Sequence, residues 1–425
     1  MRNITGLPRA VLTLEGMRTY TEAFRVPEFT TLFATFAIRV AAWTISGLAL
    51  AIYVFAATGS PLLAALAMFG PSLSMIVGGS VLLSAADRLP PRAVLSWMAV
   101  LTGLGTAAQS IPGLSLWGIF AITLTLGLVA PLSLGAQSGL LAEIMPADGY
   151  VLGQAMLNMA NGIIQVCGFA LGGVLLTVVT PRGALLAAAA LWLLVAAGTR
   201  WGLTARPPRV AGRPSLAQTW RSNRLLWSSV PRRYVFLALW IPNGLVVGCE
   251  ALFVSYSPRH AGLMFAFTAL GMLAGDTLVG RFIPASWRVR LAPWLRLLLA
   301  LPYLVFALHP AFGIAVAAAT LASAGYSASL MLQERLVKLT PDELNGHALG
   351  LQSTGMGVMQ GVGAAIAGAV ATWTSPAAAM SVMALASITV TLLLAPGLRR
   401  EPQAASLPEP VEHSGRLAGR PGPGA

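Results

Sequence analysis

Charge is scarce in this sequence. Only 10% of the 425 residues are Asp, Glu, Lys or Arg, while 56% are hydrophobic. A soluble chain of this length could not solvate its surface with so few charges. Acid is scarcer than base, with 14 Asp and Glu against 27 Lys and Arg. Cysteine is nearly missing, and Cys167 and Cys249 both lie inside apolar stretches. That excludes a disulfide framework and argues against a metal site. There are four histidines; His413 lies in the polar tail, and His309 and His347 fall on opposite sides of the membrane layout derived below. No cluster of nucleophiles or metal ligands can be drawn from these, which weighs against an enzyme. No Gly-x4-Gly-Lys-Ser/Thr stretch occurs, so no ATP-driven cycle is encoded here and no cofactor is expected. Residues 1–28 show no short apolar region with a small-residue cleavage site, so no cleaved signal peptide is expected.

Long apolar stretches fill the rest. A helix crossing the hydrocarbon needs roughly 20 apolar residues. Twelve such spans fit: 30–56, 61–85, 93–111, 115–141, 151–179 and 182–203, then 234–256, 261–283, 291–308, 311–333, 346–372 and 376–396. They are separated by breakers such as "TGSP", "IPGL", "TPRG", "YSPRH" and "TSPA". The expected fold is therefore an all-α membrane protein.

The basic residues orient it. Gaps on the side of the two termini carry Arg88 and Arg92, seven Arg between 204 and 233, Arg288 and Arg290, and Arg335 and Lys338. The opposite gaps carry only Arg182 and Arg259. The positive-inside bias predicts a multi-pass protein of the cytoplasmic membrane with both termini in the cytoplasm. Basic residues scattered through short gaps also argue against nucleic acid as a partner. The layout divides into a cytoplasmic segment 1–28, a six-helix bundle 29–203, a basic linker 204–233, a second six-helix bundle 234–396 and a disordered tail 397–425. In the linker, Leu216, Trp220, Leu226 and Trp227 could share one side of a short helix lying on the anionic leaflet; a solvated connection is the alternative.

The two halves repeat. "WTISGLALAIYVFAATGSP" from Trp43 and "WIPNGLVVGCEALFVSYSP" from Trp240 share the Trp, Gly-Leu and Ser-Pro at an offset of 197. "GIIQVCGFALGGVLLTVVTP" from Gly162 and "GVMQGVGAAIAGAVATWTSP" from Gly357 share Gly162/Gly357, Gln165/Gln360, Gly168/Gly363, Gly173/Gly368 and Pro181/Pro376 at an offset of 195. Span 1 thus matches span 7, and span 5 matches span 11. Six helices, a linker and six more, entering from the same side, form a parallel repeat of the kind that rocks two bundles about a midplane site. Gly168/Gly172 and Gly357/Gly361 have the spacing of close helix contacts, and Gly173, Gly363 and Gly368 extend those faces.

On these features the chain resembles the major facilitator superfamily over roughly residues 29–396. The family's loop signature between helices 2 and 3 is Gly, three residues, Asp-Arg, any residue, Gly-Arg, then Lys or Arg. Here "LLSAADRLPPR" matches at Asp87, Arg88 and Arg92, with Leu83, Pro90 and Pro91 at the other signature positions. The resemblance implies a cytoplasmic gate of Asp87, Arg88, Arg92 and Glu143, echoed in the second half by Arg281 and Glu334; static interfacial anchors are the alternative. Span 5 is similar to the exporter signature Gly-Pro-x-x-Gly-Gly, as Gly168-Phe169-Ala170-Leu171-Gly172-Gly173. With "TGSP" after span 1, this resembles macrolide- and siderophore-exporter-like members. The arginine that proton-coupled drug exporters carry in helix 4 has no counterpart here.

Charges within the spans need a reason, since Arg or Asp at the bilayer centre costs roughly 2.5–3.5 kcal/mol on insertion scales. Arg39, Glu250 and Asp276 are the coupling candidates. A carboxylic acid there could load and release a proton as the site alternates its exposure. Alternatively Asp276 packs near Arg281, Glu250 reaches outer water, and Arg39 pairs locally or holds an anionic substrate. Pro242 and Gly244 should kink span 7. The resemblance implies a cavity lined by helices 1, 4, 7 and 10, with Trp43, Ser46, Gln137, Trp240, Asn243, Ser323 and Tyr326 as candidates. The reading is a monomeric secondary transporter, exporting a small organic solute against protons. An importer of the same fold and a non-transporting sensor or scaffold are its rivals.

Overall fold

A computed structural model describes residues 20–86, 89–145, 149–208, 216–341 and 344–398. Among these the secondary structure is helical throughout. The first half contains α1 (Pro27–Thr58), α2 (Pro61–Ala86), α3 (Pro91–Ala108), α4 (Leu116–Ile144), α5 (Tyr150–Val178) and α6 (Pro181–Gly202). A linker helix, Leu216–Ser228, follows. The second half contains α7 (Val230–Tyr256), α8 (Ala261–Phe282), α9 (Arg290–Leu308 in its apolar part), α10 (Phe312–Lys338), α11 (Asn345–Trp373) and α12 (Pro376–Leu398). Eleven of these are long and apolar enough to cross a membrane. The remaining one, α3, is 18 residues long and begins with Pro91-Arg92.

Local chemistry sets the boundaries. Proline stands at the first turn of α1, α2, α3, α6 and α12, where its missing N–H costs nothing. Ser115 and Thr180 cap α4 and α6 by accepting from the amides of Gly118 and Gly183, each at 3.2 Å. Helix α1 stops at Gly59, whose φ of 64° is left-handed and suits glycine.

Packing repeats with the sequence. In the first half α1 lies against α5 and α6, and α2 against α4. In the second half α7 lies against α11 and α12, and α8 against α10. Each pairing recurs with six added to both labels. The halves join along α2 with α11 and α5 with α8, a pair of seams that the same operation exchanges.

The two ends of the molecule differ. At the end bearing the termini the cores are separate. One holds Phe29, Leu32, Leu140 and Leu157 of the first half, and the other holds Val235, Leu239, Leu336 and Leu398 of the second. At the far end one core crosses the divide, joining Leu48 and Ala51 of α1 to Leu252, Phe253 and Met264. Seam glycines let backbones meet there. A Cβ on Gly173 would lie 3.0 Å from the Cα of Gly262. One on Gly368 would lie 2.6 Å from the Cα of Leu62. The halves thus share a core at the far end and keep separate cores at the terminal end.

The linker is fastened to both halves. Glu28 at the start of α1 accepts from the Thr204 amide (2.7 Å) and hydroxyl (2.5 Å) and pairs with Arg206. Arg206 Nε also lies 3.5 Å from Glu143 of α4. Arg92 donates to the Leu203 carbonyl at 3.3 Å. At the other end Leu226 is buried, and Trp227 packs on Phe236 and Trp240 with ring centroids 5.9 and 5.7 Å apart. The helix thus packs on protein through Leu226 and Trp227. Replacing Arg206 with alanine should remove about 1 kcal/mol of stability, a fall of about 1 °C in melting temperature for a chain of this length. An unchanged melting curve would count against this tie. Trp227→Ala should loosen the helix and speed tryptic cleavage at exposed Arg221 and Arg224 about fivefold; equal rates would show that the stacking does not hold it.

Candidate functional site

Between the halves lies a cavity of two lobes. The second-half lobe, about 370 Å³, is lined by Glu250, Asp276, Tyr326, Gln333 and Gln360, with Met68, Met272 and Phe169 as apolar wall. The first-half lobe, about 510 Å³, is lined by Arg39, Gln137, Asn158 and Asn161. Trp43 and Gln165 belong to both. Trp43 is 41% exposed although it sits mid-helix, because its ring faces this space.

The acidic lobe is built at breaks in helices. Helix α7 carries Pro242 in its interior and is interrupted at Leu252, just after Glu250. Asn243 bridges the proline region by donating to the Leu239 carbonyl (2.7 Å) and Ser329 Oγ (3.1 Å). Ser387 donates to the Pro242 carbonyl at 3.1 Å. Helix α10 tightens into a 3₁₀ turn at Gly325–Ser327, which carries Tyr326. Helix α8 widens into a π turn at Leu278–Phe282, just after Asp276. Such irregularities within membrane helices are tolerated where they line a cavity or are buried in protein.

Glu250 is 8% exposed, and its Oε1 has no hydrogen-bond partner among the described residues. The hydroxyls of Tyr326 and Tyr303 are likewise buried without partners there. Asp276 is half-buried and forms no ion pair with Arg281 among the described residues; Arg281 is exposed. Arg39 donates to Gln137 Oε1 at 2.7 Å, and its guanidinium stands 5.1 Å from the centre of the Phe36 ring.

The other expected residues divide. Gln137 and Tyr326 line the cavity with Trp43. Ser46 lines a small side recess of about 40 Å³. Asn243 and Ser323 are buried inside the second half. Trp240 points away from both lobes: it donates to the Gln352 carbonyl at 3.0 Å and packs on Phe236 and Trp227. Of the gate residues, Asp87 and Arg88 lie outside the described residues. Glu143 meets Arg206, and Glu334 meets Lys338 at 2.6 Å within its own helix. Gly168, Gly172, Gly361 and Gly363 pack against Thr44, Ile45, Leu73 and Gly244. Gly162 lies near Leu273, and Gly357 faces open space. Sequence reasoning missed Tyr303 and the lining amides. Gln165 and Gln360 did carry a signal, as a matched pair in the repeat, but sat among glycines that pointed to packing.

Comparison with known proteins agrees with this architecture. The sequence family described as Major Facilitator Superfamily matches residues 31–261, more than half the chain. No curated protein matches in sequence. Among solved structures, a peptide-binding POT family transporter is similar with TM-score 0.69 and 13% identity, covering 88% of this chain and 96% of its own. A bacterial homolog of the human lysosomal transporter Spinster, inward-facing and unoccupied, gives TM-score 0.68 and 13% identity over 90% and 97%. A nucleoside transporter gives 0.70 and 12% over 88% and 100%.

Proposed function

Since the chain belongs to the Major Facilitator Superfamily and is a multi-pass membrane protein, we propose that it exports a small organic solute across the cytoplasmic membrane in exchange for protons, working by alternating access. The observation that carries this reading is the acidic lobe: Glu250 and Asp276 line one cavity between the halves, each beside an interrupted helix. A carboxylic acid at such a place can take a proton from one side and yield it to the other when the bundles rock. Separate cores at the terminal end and a shared core at the far end fit one extreme of that cycle. With the termini in the cytoplasm, as the arginine distribution favours, this extreme faces inward. The Gly168–Gly173 pattern supports efflux, through the resemblance to macrolide and siderophore exporters. Arg92, Glu143, Arg281 and Glu334 remain candidates for the cytoplasmic gate, with Asp87 and Arg88. The monomer contains the whole cavity and is the proposed working unit.

The test is proton movement in proteoliposomes under an imposed pH gradient, with lipophilic cations, macrocycles and siderophore-like acids as solutes. A solute that evokes proton flux in the wild-type protein, but not in Glu250→Gln or Asp276→Asn, supports the reading and identifies the carrier. Solute flux without any proton movement would refute the coupling.

A further inference from the structure

The two lobes carry opposite charge, and neither has a counter-ion among the described residues. Arg39 is the clearer case. Its guanidinium stays protonated at any physiological pH and offers five N–H donors. It meets one amide oxygen, that of Gln137, and one ring face of the wall, that of Phe36. No carboxylate pairs with it among the described residues. A cation at mid-membrane depth is costly unless it is paired or solvated. A carboxylic acid can escape the same cost by binding a proton, but arginine cannot. No described side chain neutralises it, and Arg39 lines the lobe where a solute would enter, so an anionic group of the solute is its natural partner.

Across Trp43, the other lobe presents Glu250 and Asp276, neither held by a basic side chain among the described residues. Gln165 and Trp43 belong to both lobes, so the two spaces adjoin. The two volumes, about 370 and 510 Å³, suit a drug-sized molecule. Resting on the transport reading above, we infer that the solute is an ampholyte. It presents an anionic group to Arg39 and a cationic group to the Glu250/Asp276 lobe, with an apolar body against Trp43. A simple cation would leave Arg39 without a partner, and a simple anion would leave the Glu250/Asp276 lobe without one whenever its acids are ionised.

The inference is tested by calorimetric binding to the full chain in nanodiscs. The probes are two skeletons, norfloxacin and the dipeptide Trp-Leu, each as the ampholyte, its ester (cation only) and its N-acetyl form (anion only). For at least one skeleton the ampholyte should bind about tenfold more tightly than either single-charge form, the worth of one charge-assisted hydrogen bond. Arg39→Gln should lower ampholyte affinity to that of the ester and leave the ester unchanged. Arg39→Lys, which keeps the charge, should retain part of the preference and guards against mistaking misfolding for lost recognition. The inference is overturned if, in both skeletons, a single-charge form binds as tightly as the ampholyte, or if no form of either binds. Charge-selective binding without solute flux in liposomes would fail the transport reading and leave this one standing. Proton-coupled flux of a simple cation, indifferent to Arg39→Gln, would do the reverse.

Discussion

Glu250→Gln is expected to reduce proton-driven solute accumulation by roughly 100-fold or more, the lower bound of what a positioned proton-transfer group contributes. Equilibrium binding of a solute without a cationic group should change less than about threefold, because the amide keeps the shape of the side chain. Glutamine cannot gain or lose a proton, so the cycle loses its ionic driving force. Downhill solute exchange, which needs no net proton, should persist. The local geometry favours Glu250 over Asp276: its side chain is the more deeply buried of the two, and its Oε1 has no hydrogen-bond partner among the described residues. The measurement is accumulation and exchange in the same liposome preparation. Retained accumulation in Glu250→Gln with loss in Asp276→Asn would transfer the role to Asp276, and loss of both activities would indicate damage to the fold.

Gly262→Val should break the seal at the far end. A Cβ on Gly262 would fall on the Cα of Gly173 and lie 2.9 Å from both the Gly173 nitrogen and the Phe169 carbonyl oxygen. These are backbone atoms and cannot swing aside, so α5 and α8 must separate. Overpacking of this kind costs up to about 3 kcal/mol, roughly 150-fold in the balance between sealed and open far ends. A cysteine replacing Met68 in the cavity wall, in a background with Cys167→Ser, reports it. Its labelling by an impermeant maleimide from the far side should quicken about 100-fold. Gly357→Ala, whose Cβ meets nothing within 4 Å, should change the rate less than about twofold. Equal labelling of all three proteins would show that the glycine contact is not what closes that end.

The number and order of the spans could be read from the sequence because membrane thickness leaves a signature in length. The repeat was legible too, and the recurring helix pairings bear it out. Which way each helix faces was far less legible. Trp43 and Trp240 are the same position in the two halves, yet one opens on the cavity and the other is covered by the linker helix and α11. A helix apolar on every side carries no amphipathic stripe to fix its rotation. That Arg206 also reaches Glu143, at the end of α4, was not legible, because the path of the linker depends on Thr204, Glu28 and Arg92 together. The break after Glu250 was equally hidden, since Pro242 drew attention to a place that Asn243 and Ser387 hold together.

Helix α9 meets the bilayer in its own way. Its far-end stretch, Leu301–Leu308, is a 3₁₀ helix, which rises about 2.0 Å per residue against about 1.5 Å in an α-helix. Those eight residues therefore reach roughly 4 Å farther than an α-helix would. A short apolar run is stretched to the hydrocarbon thickness, so α9 need not thin the bilayer around it. The threefold winding also stacks Ala300, Tyr303 and Phe306 in one straight row, each fully buried, while Leu301 and Leu308 turn to the lipid. The helix thus combines a ruler, matched to one membrane thickness, with a flat aromatic edge that seats it on the second bundle.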